Sequence, residues 1–114
     1  MKTYVIIFRQ GPHTLTQADL TRRQKEVSAW AREQNAAGHK LEPRILAPEV
    51  LRTEGDQGIG SNAWPVTALL FIEATDLADA AKVAATHPAK HYNASMEVRP
   101  WAAPAVAAAI PVAR

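Results

Sequence analysis

The 114-residue sequence predicts an α+β domain with the element order β-α-β-β-α-β. Three observations carry this. Two apolar runs of strand character, Tyr4-Val5-Ile6-Ile7-Phe8 and Val66-Thr67-Ala68-Leu69-Leu70-Phe71-Ile72, stand far apart in the chain. Each is followed by a capping residue and a helical stretch. Hard stops at Gly11-Pro12, Gly38, Pro48, Pro88 and Pro100 divide the rest into short pieces. The order is the ferredoxin-like split arrangement: a four-stranded antiparallel sheet with two helices on one face.

Each element has its own justification. Residues 3–9 form the first strand, five apolar residues bounded by Arg9, Gln10 and the Gly11-Pro12 turn. Thr16 with Asp19 three residues later is a capping box, and the helix it starts runs to residue 37 and stops at Gly38. Leu20, Val27, Trp30, Ala31 and Ala37 make its apolar stripe, and the Arg, Lys and Glu residues cover the rest as a solvated face. Residues 41–46 form the second strand, closed by Pro48. A turn-rich connection fills residues 53–62. Residues 66–74 form the strongest strand, apolar at nearly every position, as a central strand covered on both faces would be. Thr75 or Asp76 caps an alanine-rich helix over residues 77–86, which His87-Pro88 cuts off. Residues 95–99 form the last strand, with Met96 and Val98 on one face and Glu97 and Arg99 on the other.

The two helices cover one face of this sheet. The first and third strands are apolar on both sides, so the other face asks for a partner, and a homodimer through that open face is expected. Residues 1–101 make one domain; residues 102–114 are an Ala/Pro-rich tail whose apolar character favours packing.

Composition narrows the function classes. A hydrophobic fraction of 47% and a charged fraction of 21% are ordinary for a globular domain. The absence of cysteine excludes disulfides, thiol nucleophiles, thiolate zinc sites and Fe–S clusters. The net charge of +2, with no basic run interleaved with aromatics, argues against a nucleic-acid partner. No apolar run is long enough to cross a bilayer, and Met1-Lys2-Thr3 leads into a run too short for a signal peptide, so the expected location is the cytoplasm. On that expectation the Asn93-Ala94-Ser95 sequon is a chance match. Gly58-Ile59-Gly60 lacks the third glycine of a dinucleotide loop, and there is no phosphate loop or nucleophile elbow. No cofactor is expected.

The segment His87-Pro88-Ala89-Lys90-His91-Tyr92-Asn93-Ala94-Ser95-Met96-Glu97-Val98-Arg99-Pro100 resembles the C-terminal motif of the YCII-related family, also called the YciI-like or DGPF-domain family. That motif runs Cys/His-Pro, then Tyr-Gly, then Val-Glu-Val-Arg-Pro. Tyr4 to Arg9 with Gly11-Pro12, Trp30, Gly38, Leu46-Ala47-Pro48 and Leu70-Phe71-Ile72-Glu73-Ala74 follow in the family's order, so the likeness covers residues 3–101. It implies a dimeric α+β barrel. Asn93 stands at the family's usual glycine, and Asn62-Ala63-Trp64-Pro65-Val66 stands where the Asp-Gly-Pro-Phe signature would be. The first helix has no His, and its one Asp, Asp19, is a capping residue, so no catalytic pair is carried over from the family. The superfamily hosts monooxygenases, dehydrochlorinases, isomerases and non-catalytic members, and the likeness implies little about chemistry.

Few residues can carry chemistry. His13, in the loop after the first strand, borders the space between sheet and helices and is the first candidate base. His91 is the second. His87 and His91 stand i, i+4 around Pro88 with no third ligand apparent, so capping and packing are expected there rather than a metal site. His39, after Gly38, is expected at the helix C-terminus. Arg9 and Arg99 can hold an anion or pair with Glu97, and Arg44 joins that face. Phe8, Trp30, Trp64 and Phe71 are candidate walls for a small apolar or aromatic ligand, with Leu69 beside them. Trp101 is expected as an interface plug.

Two function classes stand. The first choice is a dimeric small-molecule-binding or accessory protein without catalysis. The alternative is a cofactor-independent lyase, isomerase or monooxygenase acting on a hydroxylated aromatic or polyketide-like substrate, with His13 or His91 moving a proton and Arg9 holding an oxyanion.

Overall fold

The computed structural model describes residues 1–51, 53 and 64–102. Most of the connection expected over residues 53–62, and the tail beyond residue 102, lie outside the described residues. The described elements are β1 (Lys2–Gln10), α1 (Gln17–Ala36), β2 (Glu42–Ile45), β3 (Val66–Ala74), α2 (Leu77–Ala85), a 3-10 turn (Pro88–His91) and β4 (Ala94–Pro100). The strands form one sheet in the order β2-β3-β1-β4, every neighbouring pair antiparallel. This is the ferredoxin-like arrangement expected from the element order.

The helix boundaries follow from side-chain chemistry. Thr16 Oγ1 accepts from the Asp19 N–H at 3.0 Å, and the Asp19 carboxylate accepts from the Thr16 N–H at 3.1 Å. This reciprocal capping box satisfies two N–H groups that the helix leaves free. It also holds the Asp19 carboxyl below its usual range, the Thr16 backbone bond being the largest cause. At the other end Gly38 takes a φ of +96°, the left-handed turn that ends a helix with least strain in glycine. Asp76 caps α2 through the Asp79 N–H at 2.8 Å, which decides between it and Thr75.

The register sorts the faces of the sheet. Tyr4 pairs with Ile72, Ile6 with Leu70 and Phe8 with Ala68. These side chains share the face that Trp30 of α1 and Ala80, Val83 and Ala84 of α2 cover, and together they form the buried core. Val5, Ile7, Leu69 and Phe71 occupy the opposite face. β3 is an interior strand, as its composition predicts, yet Leu69 and Phe71 stay only half-buried because no layer of the chain covers that side. β2 is an edge strand and all four of its residues are exposed.

Two expectations change. The apolar stripe of α1 was expected to seal against the sheet; of the helix residues only Trp30 is buried, because α1 stands off β2 and β3 and leaves a cavity between. His39 was expected to serve the helix C-terminus with its ring. Its backbone N–H does so, donating to Gln34 O at 3.1 Å, but its ring Nδ1–H donates to the Glu73 carbonyl of β3 at 2.8 Å. The carbonyl can only accept, so the neutral tautomer there carries its proton on Nδ1.

Candidate functional site

The cavity measures about 690 Å³ and lies between α1 and the helix-facing side of the sheet. Its walls are apolar: Leu20, Val27 and Trp30 from α1, Phe8 from β1, Ile45 from β2 and Leu70 from β3. Trp30 is fixed in place, its indole Nε1–H donating to Thr86 Oγ1 at 2.8 Å, and Thr86 in turn donating to the Val83 carbonyl at 2.8 Å. The large indole therefore cannot swing in to fill the space.

His87 is the polar group set into this wall. It is 6% exposed, and its ring lies between Phe8 at 4.7 Å and Trp30 at 4.5 Å, centroid to centroid. Pro88 follows it at the first position of the 3-10 turn, where its fixed φ suits the turn and its missing N–H costs nothing. The His87 Nδ1 caps that turn, accepting from the Ala89 N–H at 2.9 Å. Nδ1 must keep its lone pair to do this, so the neutral ring carries its proton on Nε2. Burial, aided by the charge of Arg23, lowers the His87 pKa from 6.5 to about 4. Near neutral pH His87 is thus an uncharged, orientated Nε2–H donor. Among the described residues the buried side-chain atom that lacks a partner is Asn93 Nδ2. Among the described residues the His87 Nε2 has no hydrogen-bond partner, and His87 lines the cavity.

Arg23, half-buried on α1, lines the same cavity and forms no ion pair among the described residues. Gln10 also lines it, but its amide is committed to the Tyr92 and Asn93 carbonyls at 2.9 and 3.2 Å. His13 borders the cavity and is exposed, so its ring sits at the mouth rather than in the interior.

The other residues singled out by the sequence lie elsewhere. His91 is exposed and lines a smaller polar hollow with Asp19, Arg22, Glu26 and Tyr92. There the Tyr92 hydroxyl donates to Glu26 Oε1 at 3.0 Å, and burial, with Glu26, raises the Tyr92 pKa. Arg9, Arg99 and Phe71 point to the open face of the sheet, away from Phe8 and Trp30. On that face Glu97 accepts from Arg9 Nε at 3.3 Å and from Arg99 Nε at 3.0 Å. Those two hydrogen bonds, the one from Arg99 foremost, hold the Glu97 carboxyl below its ordinary range. Arg44 instead pairs with Glu42 at 2.7 Å. Trp64 is exposed and contributes its carbonyl, which accepts from the Arg9 guanidinium at 2.9 Å. Phe71 meets the edge of Trp101 at 5.0 Å. The sequence candidates therefore divide among three places: Phe8, Trp30 and His13 at the cavity, Arg9, Trp64, Phe71 and Arg99 on or beside the open face, and His91 in the polar hollow. Sequence reasoning gave His87 to capping and packing, as its bond to Ala89 and its contacts with Phe8 and Trp30 bear out, and Arg23 to a solvated face; it placed neither at the cavity.

Among the described residues no group of three His, Asp or Glu side chains is placed to hold a metal ion, and no helix is long and apolar enough to cross a membrane. No family model and no curated protein matches the chain.

Proposed function

We propose that this chain is a small-molecule-binding protein of YCII-like type, working as a homodimer, whose ligand occupies the cavity beneath α1. The observation that carries the reading is the pairing of a largely apolar cavity of about 690 Å³ with a buried, orientated donor, His87. A gap of this size beside a well-packed core forfeits dispersion contacts, and an apolar ligand restores them. His87 serves binding better than proton abstraction, because its Nδ1 is occupied by the Ala89 N–H and its Nε2 already carries the proton. With His13 exposed at the mouth, His91 in the separate polar hollow and Arg9 on the open face, that favours the binding reading over the lyase, isomerase or monooxygenase one. Membership of the YCII-like group is supported by the collinear motifs and by the ferredoxin-like sheet. The left-handed φ of +61° at Asn93 adds to it, since the family's glycine would fit there and asparagine is the best-tolerated substitute. The homodimer is supported by the half-buried Ile7, Leu69 and Phe71 on the open face.

The test is to fill the cavity. Ala31 is half-buried on α1 and lines it. Ala31→Phe should abolish the fluorescence enhancement of the apolar dye phenylnaphthylamine while leaving the fold intact by circular dichroism. Unchanged dye binding by a folded Ala31→Phe variant would refute the site.

A further inference from the structure

Two donor groups on different elements line the cavity, the Arg23 guanidinium and the His87 Nε2–H, and neither makes a bond to the fold among the described residues. The Arg23 guanidinium projects from α1, half-buried, without a carboxylate among the described residues. The other basic residues at the margins of the described sheet are largely committed: Arg9 and Arg99 to Glu97, Arg44 to Glu42 and Lys40 to Glu73. On α1 itself Arg22, the neighbour of Arg23, is paired with Asp19 at 3.2 Å. His87 offers Nε2–H, fixed in direction by its capping bond and by the two aromatic rings that flank it. Arg23 is near enough for its charge to act on His87, so positive potential and donor share a cavity whose other described polar lining residues, Gln10, His13, Asn35 and Thr67, carry no negative charge. Among the described residues no acidic side chain lines the cavity.

From this we infer that the ligand is an amphipathic anion: an aromatic or branched apolar body carrying one anionic oxygen group, which Arg23 pairs with and the His87 Nε2–H donates to. The inference rests on the proposed cavity reading and specifies its ligand class. Leu20, Val27, Trp30 and Leu70 hold the apolar body. A guanidinium and an imidazole N–H supply donors only, so they suit an oxyanion and reject a ligand amine. A neutral isostere would leave the guanidinium desolvated without a partner.

The experiment compares two dyes that share a ring system, anilinonaphthalene sulfonate, which is anionic, and phenylnaphthylamine, which is not. Both are titrated by fluorescence into the full chain and into Arg23→Gln, Arg23→Lys and His87→Asn. The wild type should bind the anion about tenfold more tightly than the neutral dye, as a charge-assisted hydrogen bond in a part-buried site supplies. Arg23→Gln should erase that preference through the anion alone, and Arg23→Lys should restore part of it. Gln is a good helix former and Arg23 makes no bond to the fold among the described residues, so folding is retained. In His87→Asn the side-chain oxygen can still cap Ala89, while the Nε2–H is gone; anion affinity should fall again and neutral-dye affinity should hold. Equal affinity for the two dyes, unmoved by Arg23→Gln, would overturn the ligand class and leave the cavity reading standing. Failure of both dyes to bind, or binding that survives Ala31→Phe, would overturn both.

Discussion

His87 acts through one bond. Because the Ala89 N–H occupies Nδ1, the same contact starts the 3-10 turn and sets which nitrogen faces the cavity. Its pKa of about 4 in the folded chain lies below the 6.5 of the unfolded one. Between those values the unfolded chain binds the extra proton, so stability rises with pH across that window and is lost as pH falls from about 6.5 to about 4. The full loss from this group is on the order of 3 kcal/mol. Urea denaturation of wild type and His87→Asn at several pH values should show the variant lacking this slope, and a shared slope would show that other groups cause it. A second close contact is purely steric. A Cβ added at Gly11 would lie 2.6 Å from the Asn93 amide, and the Gly11 N–H also donates to the Asn93 carbonyl at 2.6 Å. Gly11→Ala should cost about 1–3 kcal/mol in the wild type. In an Asn93→Gly background, where the clashing amide is gone, denaturation should find most of that cost removed. The places of His87 and Arg23 at the cavity were hidden in the sequence, where His87 reads as a capping and packing residue and Arg23 as one of several solvated basic residues. Only the distance between sheet and helix turns both toward one space.

At the scale of elements, most of the architecture was legible. The capping box, the glycine stop after α1 and the unbroken apolar run of β3 act within a few residues of themselves, so local chemistry places them. The length of β1 and β4, the shortness of β2 and the 3-10 turn after α2 depend on pairing partners and on tertiary contact, which periodicity does not contain. The stand-off of α1 belongs to the same class: its stripe reads as core, but its long-range side-chain fastenings are Trp30 to Thr86 and Glu26 to Tyr92, both toward the α2 end of the chain, and among the described residues only Asn35, at its last turn, bonds to Leu41 beside β2. Trp30→Phe keeps the ring and removes the indole donor. It should lower stability by about 1 kcal/mol and speed amide exchange in α1 more than in β1 and β3. Equal acceleration in strands and helix would mean that α1 is not separately held.

The whole molecule presents two apolar faces with different fates. The helix-side face closes over α2 and the Trp30 end of α1 and opens into the cavity. The other face carries Val5, Ile7, Leu69 and Phe71 between the Arg9–Glu97–Arg99 cluster and the Glu42–Arg44 pair. Mixed charge around an apolar centre is self-complementary under a two-fold axis. Light scattering should find a mass of twice the chain, and Phe71→Glu should halve it; a monomeric wild type would remove the dimer from the account. The sequence shows both strands apolar on two sides, and it offers Phe8, Trp30 and Phe71 together as walls of a ligand site, with Arg9 and Arg99 as anion holders. Alternation along β1 and β3 separates them.

The central claim is that ligand enters beneath α1, on the side of the sheet away from Arg9 and Phe71. Amide shift mapping of isotope-labelled protein during titration with anilinonaphthalene sulfonate tests it most directly. The largest shifts should fall at Arg23, Val27, Ala31, Leu70 and Ala89. Shifts confined to Ile7, Phe71, Glu97 and Arg99 would contradict it and move the site to the open face.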